Sequence, residues 1–295
     1  MKKLMFAAAA MLAGVAMADV TSANIVGYNN NNLVDGAVGQ GASFAPISGA
    51  KTVRLQDMIV SGYKAEDPDQ EAWGEIYAQV LNASGGSNDA QTYYWFDCYV
   101  DDGEAGILDT TFYGWYYIDE DTGYPTEIGE DVTFTLGDGL WMYADTSFAW
   151  TIQYAGQVSA EDIPVVLIDG AKLCVNATSR TLNINGDAAT GFNGITISGY
   201  KAEDPDQEAW GEVYAQVLNA SGGSNDAQTY YWFDCYVDDG EAGILDTTFY
   251  GWYYIDEDTG YPKEIGEDVL VKPGESLWVY ADTSFNWVLT FPSAL

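Results

Sequence analysis

The chain has 295 residues, with 45 Asp and Glu against 10 Lys and Arg, no His, and a formal net charge of −35. Such a field repels nucleic acid and anionic lipid, so neither is a partner, and the missing His removes Ser-His-Asp and Cys-His catalysis and His-bound zinc. Hydrophobic residues at 47% and aromatics at 15% still supply a core, which disordered polyanions lack.

In chain order, Lys2-Lys3, an apolar run from Leu4 to Val15 and Ala16-Met17-Ala18 before Asp19 form the pattern of a secretory signal peptide over residues 1–18. The run falls short of the ~20 apolar residues that span a bilayer, and no later run reaches that length. The expectation is export to the exterior or cell surface of a bacterium, without a membrane span. Ile25, Val26 and Tyr28 suit a first strand, the run Asn29–Asn32 reads as a polar turn, and Asp35-Gly36-Ala37 and Asp169-Gly170-Ala171 read as turns.

The stretch from Val60 to Val132 recurs as Ile197 to Val269, with exchanges at only three positions: Val60/Ile197, Ile76/Val213 and Thr126/Lys263. All ten Trp pair at the same shift: 73/210, 95/232, 115/252, 141/278 and 150/287. The expected organisation is the signal peptide, one domain at 19–157 and its copy at 158–295. Within each copy the pattern is strand-like. In the first, Glu75–Leu81 and Thr92–Val100 alternate, Phe112–Asp119 and Val132–Leu136 follow, and Leu140–Ala144 and Phe148–Tyr154 close the unit. Short β-rich runs punctuated by Gly, Asp and Asn at spacings of roughly 8–15 residues predict an all-β fold, two tandem β-sandwich or barrel-like domains. The segment Pro68–Gln79 is ambiguous, although Gly74 and the alternation favour strand. Cys98, Cys174 and Cys235 leave three readings open: a 174–235 bridge, a 98–235 bridge, or three buried thiols.

The stretch Ser22-Ala23-Asn24-Ile25-Val26-Gly27-Tyr28, with Ala45-Pro46, Leu55-Gln56-Asp57, Gly114-Trp115, Gly251-Trp252 and Pro273-Gly274-Glu275-Ser276-Leu277-Trp278, resembles secreted tandem-repeat proteins of verrucomicrobial and lentisphaeral gut bacteria. The resemblance spans most of both copies. The family has no assigned activity, so it implies no catalytic residues. The first copy departs from it, with Gly137-Asp138-Gly139 and no Pro-Gly-Glu before Leu140-Trp141.

Two kinds of site are predicted. Hard cations take several oxygens from a loop, so calcium is expected at Asp67, Asp69 and Glu71, at Asp119 and Asp121, and at their partners Asp204, Asp206, Glu208, Asp256 and Asp258. A further acidic cluster, Asp101-Asp102-Gly103-Glu104, recurs as Asp238-Asp239-Gly240-Glu241. Trp95, Trp115, Trp232 and Trp252 are expected to offer a platform for sugar rings, against the competing role of core packing. No phosphate-cradling loop or dinucleotide fingerprint occurs. The sequence reads as a non-enzymatic binding or structural module making glycan or cell-surface protein contacts. A carboxylate-pair glycoside hydrolase is the alternative, and assembly through Ser22–Tyr28 onto a neighbour's sheet edge is a third reading.

Overall fold

The structure is a computed structural model that describes residues 26–32, 36–40, 52–61, 72–80, 91–101, 109–144, 150–187, 190–199, 208–218, 228–238, 246–282 and 286–293. The expected signal peptide, Asp67, Asp69, Glu71, Asp204 and Asp206 lie outside these residues, as do Asp102–Glu104 and Asp239–Glu241.

In the first half the strands are β1 (Val26–Asn32), β2 (Gly36–Gln40), β3 (Thr52–Arg54), β4 (Ile59–Ser61), β5 (Ala72–Val80) and β6 (Thr92–Asp101). They continue as β7 (Asp109–Ile118), β8 (Pro125–Glu127), β9 (Thr133–Thr135), β10 (Leu140–Ala144) and β11 (Thr151–Gln157). The second half holds β12 (Ile163–Val166), β13 (Gly170–Val175), β14 (Leu182–Asn183), β15 (Thr196–Ser198), β16 (Ala209–Leu218) and β17 (Tyr230–Asp238). It ends with β18 (Asp246–Ile255), β19 (Pro262–Glu264), β20 (Leu270–Val271), β21 (Ser276–Ala281) and β22 (Val288–Phe291). Among the described residues the only helical element is a 3-10 turn, Leu55–Asp57.

Both halves build the same sheets. The order β2-β10-β5-β6-β7-β8 reappears as β13-β21-β16-β17-β18-β19, β1-β11-β4 as β12-β22-β15, and β3-β9 as β14-β20. No sheet closes into a barrel, so the fold is all-β and sandwich-like. In each half the first strand pairs with the last: Val26–Asn32 lies antiparallel to Gln157–Thr151, and Ile163–Val166 to Phe291–Val288. Asn29–Asn32 are therefore strand and not the expected turn. The ladder to β11 supplies their backbone partners, and that pairing outweighs the poor strand propensity of Asn. Gly36-Ala37 and Gly170-Ala171 likewise open strands β2 and β13.

The central hairpin shows why both faces of its sequence are aromatic. Trp95 and Trp115 face each other across β6–β7 and enter the main core with Ile76, Ala78, Met142, Val60 and Ile152, between the six- and three-stranded sheets. The neighbouring Phe96, Cys98 and Phe112 point the other way and form a second buried cluster with Tyr94, Tyr116 and Ile118. A strand buried on two faces cannot alternate apolar with polar. β5 carries a bulge between Trp73 and Tyr77, where Glu75 accepts the Trp73 N–H at 2.6 Å, and Trp73 turns out to solvent.

The halves meet where their sequences diverge. The first half's Gly137-Asp138-Gly139 turn docks on β13: Gly139 N–H donates to Leu173 O at 2.9 Å and Val175 N–H to Gly137 O at 2.7 Å. Lys172 Nζ sits 2.8 Å from Asp138 Oδ1, both side chains largely covered. A Cβ on Gly139 would lie 2.6 Å from Leu173 Cβ, and one on Gly137, whose φ is +97°, 2.7 Å from Val165 Cγ2. The corresponding second-half turn pairs within its own half, Asn176 N–H to Glu275 O and Gly274 N–H to Asn176 O. Core residues of both halves form one continuous cluster.

Cys98, Cys174 and Cys235 are buried thiols and none is in a disulfide, so neither bridge forms. Burial pushes the Cys174 thiol up to about 12 and the Cys235 thiol up to about 11. A thiol-specific chromogenic reagent at pH 7 is expected to find no reactive thiol in the native protein and all three after denaturation; rapid native labelling would contradict this burial. At the junction, Gly139→Ala is expected to cost about 1–3 kcal/mol and to split one cooperative thermal transition into two. A single, unshifted transition would show that the halves are not coupled there.

Candidate binding clefts

Each half carries a concave site at the same place on its sheet. The first, about 390 Å³, is lined by Gln56, Ile59, Trp95, Tyr113, Gly114, Trp115, Tyr116, Glu127 and Ile128. The second, about 530 Å³, is lined at the matching positions by Trp232, Tyr250, Gly251, Tyr253, Glu264 and Ile265, with Thr196 for Ile59. The floor belongs to the near-identical repeat. The far wall is the connection from β3 to β4, or from β14 to β15.

Two anchors hold wall to floor. Trp115 Nε1 donates to Met58 O at 2.7 Å, and Trp252 Nε1 to Ile195 O at 2.6 Å. Leu55 N–H donates to Val132 O, and Ile184 N–H to Val269 O. Gly114 and Gly251, in mid-strand at φ +123° and +120°, adopt a backbone that side chains rarely enter, and a Cβ on Gly114 would meet nothing within 4 Å. The floor is thereby left open beside Tyr113 and Tyr250, which are 59% and 63% exposed.

Trp95 and Trp232 give each cleft an unusual group. Both are at least 98% buried, and among the described residues their indole N–H finds no hydrogen-bond acceptor, whereas the paired Trp115 and Trp252 are satisfied. Their rings meet Tyr113 and Tyr250 edge-on at 5.4 Å. An unsatisfied buried donor costs about 1–3 kcal/mol, so the same unpaired N–H at both sites is a cost borne twice.

These positions revise the expected platform. Trp95, Trp115, Trp232 and Trp252 are all buried, their faces taken by the core and by each other, so no sugar ring can stack on them. The exposed ring at each cleft is Tyr113 or Tyr250, which the sequence reading passed over. The signal for it was Gly114 and Gly251, isolated glycines inside a strand pattern.

The described acidic turns are filled by their own donors. Asp119 Oδ1 accepts the Asp121 and Thr122 N–H groups at 3.1 and 2.9 Å and the Thr122 hydroxyl at 2.9 Å. Asp256 repeats this with Asp258 and Thr259 and adds Lys263 Nζ at 3.2 Å. Asp119 is thereby held below the usual carboxylate range, mainly by the Thr122 N–H, and Asp256 mainly by Lys263. Glu208 accepts the Tyr236 N–H at 2.9 Å. Among the described residues no cluster of three or more His, Cys, Asp or Glu is placed to hold a metal ion. No helix among them is long and apolar enough to cross a membrane.

No family model matches the chain, and no curated protein or solved structure does either.

A carboxylate with a lowered folded pKa stabilises above its unfolded pKa, about 4 for Asp, and the contribution is lost as pH falls through the folded value. Asp119→Ala is therefore expected to lower Tm near neutral pH, with the difference from wild type closing in the acid. The difference should be equal in calcium and in EDTA; a larger loss in calcium would make the turn a cation site.

Proposed function

We propose that the protein is an exported, non-enzymatic binding module of the bacterial surface whose two clefts hold neutral glycans. The observation that carries this reading is the recurrence of one cleft in both halves with the same two accessible chemistries. The Glu127 or Glu264 carboxylate accepts donors, and Tyr113 or Tyr250 offers an exposed ring face. A sugar ring matches both, with hydroxyls that donate and an apolar C–H face. The net charge of −35 favours a neutral sugar over an acidic one.

The described lining of the first cleft contains one carboxylate, Glu127. Glycoside hydrolysis needs two, about 5–10 Å apart, so that lining supports holding a ligand over cleaving it. The junction through Gly139, Lys172 and Val175 ties the two clefts into one body, and paired sites raise avidity where both engage a multivalent surface. Polymerisation through Ser22–Tyr28 has less support, since Val26–Asn32 already pairs along one edge with β11 of its own half.

The test is retention on surfaces coated with neutral polysaccharides. Tyr113→Ala and Tyr250→Ala should each abolish binding at their own cleft and weaken retention, and the double variant should abolish retention. Wild-type retention by the double variant, with unchanged Tm, would refute the clefts as binding sites.

A further inference from the structure

The cleft floors are nearly identical, but the walls are not. In the first half two residues, Gln56 and Asp57, lie between the equivalent anchors Leu55 and Met58; in the second, ten residues, 185–194, lie between Ile184 and Ile195. The described part of the inserted tongue, 185–187 and 190–194, is tied down. Its stem closes through Ile195 N–H to Ile184 O at 3.0 Å and Gly186 N–H to Asn183 O at 2.9 Å, and its tip through Asp187 N–H to Phe192 O at 3.1 Å. Asn185 clamps it to the floor, donating Nδ2 to Trp252 O and accepting the Trp252 N–H, both at 2.9 Å. At its outer side Phe192 is 42% exposed, with the Arg180 guanidinium 3.5 Å from its ring centroid.

The tongue adds binding surface. A further concavity of about 640 Å³ adjoins the second cleft, sharing Asn185, Phe192 and Ile265 with it and continuing along Asn183, Glu267 and Asp268. At the first cleft the short wall is instead folded onto its own half, Asp57 held by Arg54 at 2.6 Å and Gln56 donating to Glu130 O at 3.3 Å.

Resting on the reading of the clefts as glycan sites, we infer that the two copies differ in the length of chain they read: the first holds a single sugar ring, while the second holds several consecutive units of a linear neutral glycan, with Phe192 as a second stacking ring. The extended groove is lined by amides and carboxylates, which suit hydroxyls along a chain. Its wall is held by backbone hydrogen bonds before ligand arrives, so little ordering cost is left for binding.

The experiment uses the full chain with one cleft disabled at a time. Tyr250→Ala leaves the first cleft and Tyr113→Ala the second; each is titrated by tryptophan fluorescence with linear β-1,4-linked gluco- and manno-oligosaccharides of one to six units. The remaining second cleft is expected to gain about tenfold or more in affinity from one unit to four, and the remaining first cleft to gain little. Phe192→Ala, added to Tyr113→Ala, should flatten the gain at the second cleft. Equal length dependence at both clefts, or a gain that survives Phe192→Ala, overturns the inference and leaves the paired-cleft reading standing. No binding of any length at either cleft overturns both.

Discussion

The structure depends on the indole N–H of Trp115, and of Trp252 in the second half, donating to a carbonyl on the facing β3–β4 or β14–β15 connection. That bond crosses the sandwich. It fixes the central hairpin, whose Trp pair fills the core, against a connection that is short in one copy and long in the other. Burying an indole normally demands a partner for its N–H. Here one tryptophan of each pair has that partner and its neighbour does not. The satisfied member sets the distance between floor and wall, and the unsatisfied member lines the space left between them.

Much of the fold was legible because the β pattern is dense and repeated. Leu140–Ala144 is a strand with the expected bounds, and Ile76 and Ala78 face the core as the alternation of β5 requires. Asn29–Asn32 misled because four consecutive polar residues look like a turn, while their partner strand begins more than a hundred positions later. Local propensity carries no information about such a partner.

The site was less legible for a related reason. Alternation assigns residues to faces but does not say how far along a face the cover extends. Trp95 and Tyr113 lie on one face of the hairpin, yet the first is buried and the second exposed. The cysteines show the same limit: composition allowed two bridges, and strand placement left each thiol in the core. What the sequence did mark, without saying why, was the divergence at Gly137-Asp138-Gly139, which is the junction between halves.

That junction also has a direction. Where the first copy has Gly139, free of any Cβ against Leu173, the second has Ser276, fully buried within its own sheet and pairing with Val175. The surface by which the first copy grips its successor is thus not reproduced on the successor. Solenoid-forming repeats grow because each unit presents to the next what it received from the last. This pair lacks that recursion: the Ser276 side chain occupies, within its own half, the position that Gly139 leaves clear for Leu173.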